Sequence, residues 1–225
     1  MDNVLKIEDR SLCTECGGQC CKKCGCDLFI SDIEKLEYDY INKLLDNGRV
    51  SIVSRIYVLP LKNGSYAINP FLHLRARNID REAIDLFSLK KTCASLEEGG
   101  CFWDLEHRPS GATHVKPFKN AAGEFTCKPT LDHKAEIKKW EKYQKLLAKI
   151  VKARTGNTVY EQLRLDVINV FADVLNENFD GISKEAIEEI EEIYPVLKSR
   201  YAEEYKIALE TYKKKNPLLL RIPRL

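Results

Sequence analysis

The sequence lacks any apolar run of about 18 residues, the length that a membrane-spanning helix requires. It also lacks a large charge of one sign, because 36 lysines and arginines against 34 aspartates and glutamates leave a net charge of +2. The first ten residues carry acidic side chains instead of the apolar stretch of a secretory signal. These absences disfavour membrane-spanning, secreted and strongly basic nucleic-acid-binding proteins, and we expect a cytoplasmic protein.

Signatures of several common enzyme classes are also missing. The chain has no phosphate-binding loop, no glycine fingerprint for a dinucleotide and no nucleophile elbow. It has no internal repeat. The sequence therefore gives no direct indication of catalysis and leaves open whether the protein is an enzyme.

Cysteine, by contrast, is abundant and unevenly placed. Nine cysteines are present, and residues 128–225 contain none. The odd number, the length of the chain and the missing signal all disfavour a disulfide framework, and clustered thiols in a reducing compartment usually bind metal or perform redox chemistry. The six clustered cysteines are Cys13, Cys16, Cys20, Cys21, Cys24 and Cys26, and the three later ones are Cys93, Cys101 and Cys127.

The spacing of the first cysteines indicates metal binding. Cys13 and Cys16 are separated by two residues, which lets two sulfurs on one turn bind one ion. Cys20 and Cys21 are adjacent, and in an extended segment their side chains would point in opposite directions, which favours two centres or a bridged one. Zinc takes four such ligands, but four thiolates also suit an iron–sulfur cluster. The residues alone leave zinc and iron open.

The motif CTECGGQCC, from Cys13 to Cys21, resembles the C-x2-C-x3-C-C signature of a bacterial cysteine-cluster family described as zinc- or iron-chelating. The resemblance covers about residues 11–130 and leaves the C-terminal helices uncovered. Its further matching features are Gly25-Cys26, the strand FLHLRAR from Phe71 to Arg77, Cys93-x7-Cys101, Arg108-Pro109, Pro117 and Cys127.

The resemblance implies eight metal-binding cysteines, with Cys24 as the spare. Ala112 stands where many members have a further cysteine, so Cys127 is expected as the last ligand and His114 as a weaker substitute. Eight thiolates form two sets of four, which suggests two sites or one polynuclear site. The implied ligands are Cys13, Cys16, Cys20, Cys21, Cys26, Cys93, Cys101 and Cys127.

Zinc is the first choice of cofactor, and iron or an iron–sulfur cluster is the alternative. A relative, the flagellin lysine N-methylase, bears a similar cysteine cluster linked to S-adenosylmethionine and iron–sulfur chemistry. The alternative function is therefore an iron–sulfur enzyme in redox or methyl-transfer chemistry. Among the other candidate groups, the sequence favours surface or structural roles for the histidines His73, His107, His114 and His133. Arg75, Arg77 and Arg108 would bind an anion or offset the charge of the thiolates.

The expected fold is α+β. An irregular cysteine-rich metal-binding domain with a small β element would occupy residues 1–130, and a helical hairpin or bundle residues 131–225, packed on it or separate. A helix is predicted over residues 31–47, and residues 78–130 are rich in turns. Strands are predicted at 50–59, 65–68 and 71–77, and helices at 133–154, 157–177, 183–194 and 196–214, with Pro195 breaking or kinking the third helix into the fourth.

A lysine stripe provides a third hypothesis for function. Lysines recur every three or four residues along the first C-terminal helix and would form one positive face. A solvated face beside the acidic helix around residues 185–192 is the favoured interpretation. The alternative is a helical interaction module that binds an acidic protein partner and uses the metal only structurally. The stripe consists of Lys134, Lys138, Lys142, Lys145, Lys149 and Lys152.

Overall fold

A long antiparallel hairpin lies at the centre of the fold. In this computed structural model, which describes residues 17–216 except 61, 63–65, 90, 99, 105, 120 and 124, strand β1 (Val50–Pro60) pairs with strand β2 (Tyr66–Ala76). Two separate strands were predicted where β2 is continuous. The strand runs through Pro70, because alternate residues of β2 direct their backbone nitrogens to the outer edge, where a proline gives up no ladder hydrogen bond.

Short segments cover both edges of this hairpin. The N–H of Leu28 donates to the carbonyl of Leu74 (2.9 Å) and the N–H of Ala76 to that of Cys26 (2.8 Å), so residues 26–28 lie along β2 like a third strand. On the other edge, the N–H of Ile52 in β1 donates to the carbonyl of Ala83 (2.8 Å). The cysteine-rich segment is thereby held directly against the sheet.

The helical structure before the hairpin differs from the prediction. Cys20 and Cys21 lie on a short helix, α1 (Gln19–Lys23), where irregular structure was predicted. The helix predicted over residues 31–47 is divided into a 3-10 turn (Ile30–Asp32) and helix α2 (Tyr38–Asp46), because Glu37 is extended. Gly48, with φ of 78°, follows α2.

Residues 78–130 contain many turns, as expected, with two small hairpins and one short helix. Cys101 lies at the end of the first hairpin and Cys127 within the second. The elements are β3 (Leu96–Glu97), β4 (Gly100–Cys101), α3 (Ser110–Thr113), β5 (Val115–Lys119) and β6 (Phe125–Pro129).

The C-terminal part is helical, as predicted, but the boundary between the third and fourth predicted helices lies at Tyr201 and not at Pro195. Helix α7 runs through Pro195 and ends at Arg200, and the chain breaks at Tyr201, whose ring is buried against Phe87. The anchored tyrosine therefore ends the helix, and the proline does not. The helices are α4 (His133–Lys138), continued by a 3-10 turn (Lys139–Tyr143), α5 (Gln144–Thr155), α6 (Val159–Leu175), α7 (Lys184–Arg200) and α8 (Ala202–Lys215).

The helices pack on the sheet through one continuous hydrophobic core. Trp140 is fully buried, and its indole N–H donates to the carbonyl of Leu28 (3.0 Å). The side-chain amide of Gln144 accepts a hydrogen bond from the N–H of Leu72 and donates one to the carbonyl of Leu72 (2.8 Å each). The α+β prediction is therefore confirmed. No helix in the described part of the chain is both long and apolar enough to cross a membrane.

Candidate functional site

The predicted cysteine ligands are distributed over several elements. Cys13 and Cys16 lie outside the described residues, and Cys20 and Cys21 belong to α1. The remaining predicted ligands are Cys26 on the segment beside β2, Cys93 in the loop before β3, Cys101 in β4 and Cys127 in β6.

Backbone hydrogen bonds bring the loop around Cys93 to the first cysteine segment. The N–H of Cys93 donates to the carbonyl of Cys21 (2.7 Å). Cys93 also forms an antiparallel β-bridge with Asn78, which lies just beyond β2. The N–H of Ala94 donates to the carbonyl of Arg77 (2.8 Å). The loop is thus held between α1 and the end of β2, independently of its sulfur atom.

The Cys93 thiol lies near two others in this region, those of Cys101 and Cys24. Cys93 is 5% exposed, whereas Cys24 and Cys101 are half-buried. Burial raises the pKa of the Cys93 thiol, although hydrogen bonds from Ser95 lower it. The nearby Cys101 and Cys24 thiols raise the pKa further. Each thiolate makes ionisation of a neighbouring thiol less favourable because like charges repel. A bound cation would offset this repulsion and favour ionisation of all three thiols.

Gly25 allows the chain between Cys24 and Cys26 to approach the sheet. A Cβ atom at this position would lie 1.8 Å from the carbonyl oxygen of Ala76, so only glycine fits. The Gly25 N–H also donates to the Asn78 side-chain oxygen (2.7 Å). The glycine therefore sets how closely both cysteines approach β2.

A buried carboxylate follows these cysteines. Asp27 accepts hydrogen bonds from Arg55 Nη2 (2.9 Å), His73 Nε2 (3.0 Å) and Arg75 Nε (3.1 Å). Burial would raise the pKa of Asp27, but the hydrogen bond from His73 and the charges of Arg75 and Arg55 hold it far below its ordinary value. Asp27 is therefore ionised throughout the physiological range.

Arg75 interacts both with this carboxylate and with two of the thiols. Burial would lower the pKa of Arg75, but Asp27, Cys24 and, to a smaller extent, Cys26 raise it. This placement agrees with the expected role of offsetting thiolate charge. Arg77 has a different role, because its Nη2 donates to the carbonyls of Leu45 and Val50 (2.7 Å each) and ties α2 to β1.

The histidines fall into two groups. His73 is 1% exposed, and its Nδ1 atom has no hydrogen-bond partner among the described residues. Burial lowers its pKa despite the neighbouring Asp27, so the ring is neutral at neutral pH. The other three have contacts typical of structural or surface residues: His114 and His133 pack on Phe29, and the exposed His107 pairs with Asp104 (2.7 Å).

The described thiols do not form a compact site. Within the part of the chain that the structure describes, no group of three or more Cys, His, Asp or Glu side chains could hold a metal ion as placed. Cys127 pairs with Pro117 in the β5–β6 hairpin.

Sequence reasoning missed Asp27 and Arg55, although the position of Asp27 directly after Cys26 was a usable signal.

The lysine stripe is exposed along its whole length. Lys149 lies over the ring of Tyr38 (4.9 Å), and in the acidic helix Glu189 pairs with Lys23 of α1 (3.0 Å). The solvated-face interpretation therefore agrees with the exposure of the stripe.

Comparisons with protein-family models, with curated proteins and with solved structures give no match. The resemblance to the cysteine-cluster family stays a prediction that rests on the motifs of the sequence.

Proposed function

We propose that this chain is a cytoplasmic metal-binding protein in which cysteine thiolates hold zinc. The observation that supports the proposal is the hydrogen bond from the Cys93 N–H to the Cys21 carbonyl (2.7 Å), which joins two cysteine segments that are distant in the sequence. The thiols of Cys101 and Cys24 also lie near enough to Cys93 to raise its pKa. The proposed ligands are the eight cysteines that the family resemblance implies, and the position of Cys24 adds it to the candidates.

The surroundings of the thiols fit a thiolate-bound cation. Thiolate sulfur is a preferred donor for zinc, and four thiolates on one Zn²⁺ leave a net charge of −2. Arg75 is half-buried beside Cys24 and Cys26, where its positive charge offsets part of that excess. A bound zinc would supply cross-linking, because each ligand fixes its own segment and the free energy of binding stabilises the fold.

The chain itself would prepare the site for the ion. The hydrogen bond from Cys93 to Cys21 sets the spacing of two ligand segments, and Gly25 and Asn78 hold the Cys24–Cys26 turn against β2. Because none of these contacts uses a sulfur atom, they do not depend on a bound metal. Such a site would serve either as a structural element or for metal sequestration.

The test is elemental analysis, together with an ultraviolet–visible spectrum, of untagged protein purified without oxygen. One or two zinc atoms per chain and no visible absorption are expected. Iron with acid-labile sulfide would favour the alternative, an iron–sulfur enzyme, over a zinc protein. S-adenosylmethionine binding would then be measured. Protein that is folded, fully reduced and free of both metals, and that takes up neither on titration, would overturn the proposal.

A further inference from the structure

An open groove lies between helix α5 and the beginning of helix α6. It contains about 1000 Å³ of empty space, and we call it the lysine groove. Because small side chains separate the long lysine stems, the groove has room for an apolar side chain from outside. The residues that line it are Lys145, Ala148, Lys149, Lys152, Ala153, Thr158 and Val159.

The positive charge of the lysine groove is not neutralised within the described part of the chain. Its three lysines are spaced by four and three residues, so they share one exposed face of α5. None of them forms an ion pair with a described residue. Lys149 lies over the ring of Tyr38 (4.9 Å), and Lys152 is near enough to Glu161 to lower the pKa of that carboxyl. The groove therefore combines an apolar lining with an excess of positive charge.

Helix α7 carries an exposed surface of the opposite charge. Glu188, Glu192 and Val196 are spaced by four residues and form one row along the helix, with Glu191 beside it. All four side chains are exposed, and that of Val196 is 60% exposed. We call these four residues the acidic face of α7. Among the described residues, no ion pair joins this face to the lysines of α5.

The two surfaces match in charge and in spacing. Lysines in the groove and glutamates on the acidic face of α7 both recur after four residues, a rise of about 6 Å along a helix. Val196 provides an apolar side chain for the apolar lining of the groove. We propose that two copies of this chain associate, with the acidic face of α7 of one copy seated in the lysine groove of the other.

Each copy carries both surfaces, so a partner of the required charge is present wherever the protein is. Two such contacts related by a twofold axis would close a dimer, whereas one contact repeated from copy to copy would give an open chain. A single helix in a shallow groove buries little area, so each contact is expected to be weak. The proposal uses no cysteine and does not depend on the metal.

Sedimentation equilibrium of the full, anaerobically purified chain tests the proposal. A reductant excludes intermolecular disulfides, and protein concentrations of about 10 µM to 1 mM cover weak association. We expect the mean mass to rise with concentration at about 0.05 M salt and to fall back towards that of one chain at about 0.5 M salt, where charges are screened over shorter distances. A wild-type chain that stays monomeric at low salt overturns the proposal.

Reversing the charges on each surface identifies which residues make the contact. The double variants Lys145→Glu/Lys149→Glu and Glu188→Lys/Glu192→Lys should each weaken self-association by about tenfold or more, because like charges then face one another. An equal mixture of the two variants should regain the wild-type mass. In a mixed pair, opposite charges meet again at both contacts.

A control pair of substitutions separates this contact from a general effect of charge. Lys116→Glu/Lys213→Glu makes the same change in net charge at exposed positions outside the lysine groove and should associate like wild type. Wild-type association by both charge-reversed variants, or a mixture that stays monomeric, would contradict the proposed contact. Monomeric wild type that instead binds an acidic peptide or single-stranded DNA would assign the groove to another occupant and also overturn the proposal.

Discussion

The N–H of Cys93 donates a hydrogen bond to the carbonyl oxygen of Cys21 at 2.7 Å. Two cysteines that are distant in the sequence are therefore joined through the backbone and not through sulfur. Because Cys93 is almost fully buried, its loop is held both by packing and by this bond. Metal binding and loop placement can accordingly be tested separately.

Cys93→Ser should reduce the zinc content while leaving most of the core folded. The hydroxyl is nearly isosteric but a poor zinc ligand, whereas the contact between Cys93 N–H and the Cys21 carbonyl is unchanged. Hydrogen exchange should become faster near Cys21 and Cys93, with protection in α6 and α8 retained. Ser54→Ala is the control, because it removes a hydroxyl of β1 that donates to the Leu86 carbonyl (2.6 Å). Full zinc occupancy in Cys93→Ser would contradict the prediction.

Cys24→Ser should also lower the zinc content, although the family resemblance makes Cys24 the spare cysteine. The reason is position, because the Cys24 thiol lies close enough to Cys93 and Arg75 to affect the pKa of each. Zinc per chain should be compared with that of Ser54→Ala, which changes a serine of β1 that donates to the Leu86 carbonyl. If only Cys24→Ser keeps its zinc among the cysteine variants, Cys24 is the spare residue.

Gly25→Ala should destabilise the protein and reduce zinc binding. Its Cβ would collide with the Ala76 carbonyl, and such overpacking against rigid backbone costs about 3 kcal/mol. Gly123→Ala is the control, because its Cβ meets no atom within 4 Å and only the positive φ of 81° is strained, at about 1–2 kcal/mol. Urea unfolding and zinc content should separate the two, and normal zinc binding by Gly25→Ala would refute the close approach.

Periodicity and turn residues predicted much of the fold. The alternation from Phe71 to Arg77 identified a strand, and the helix boundaries at Gly156 and Ser183 followed from ordinary end signals. The errors came from tertiary contacts that have no local pattern. Pro70 is accommodated by a free strand edge, and Tyr201 ends a helix because its ring is buried against Phe87.

The candidate site was harder to predict because it depends on pairing across the sheet. The cysteines could be recognised from spacing alone. The arrangement of Asp27 against Arg75 requires residues 26–28 to lie along β2, which no local pattern indicates. The burial of His73, and the lack of a hydrogen-bond partner for its Nδ1 atom among the described residues, could not be predicted because both arise only in the folded chain.

Trp140→Phe should destabilise the whole protein by about 2–3 kcal/mol. It removes buried volume and leaves the Leu28 carbonyl without its indole donor at the contact between the helices and the cysteine segment. Trp103→Phe loses a similar indole hydrogen bond, to Ser95, at a half-buried site and should cost about 1 kcal/mol. Each variant keeps one of the two tryptophans, so fluorescence can follow urea unfolding, and equal costs for both would contradict a central role for Trp140.

Asp166 should make stability depend on pH in mildly acidic solution. Its carboxylate accepts hydrogen bonds from the Leu86 N–H and the Gln162 amide (2.6 Å each). Burial raises the pKa of Asp166 to about 6, although these hydrogen bonds lower it. Repulsion from Asp85 adds to the upward shift. Because the folded pKa exceeds the unfolded value of about 3.9, the folded state binds the proton more tightly.

The stabilisation from the Asp166 proton is therefore fully present below about pH 4 and is lost as the pH rises through about 6. Between these limits the free energy of unfolding should fall by about 1–2 kcal/mol in wild type, after allowance for partial solvent screening. Asp166→Asn should lack this decrease. Asp104→Asn should retain it, because the hydrogen bonds from His107 lower the pKa of Asp104 and place its titration below this window. Urea unfolding at half-unit pH steps measures the difference, and parallel profiles for wild type and Asp166→Asn would show that Asp166 is already ionised at pH 4.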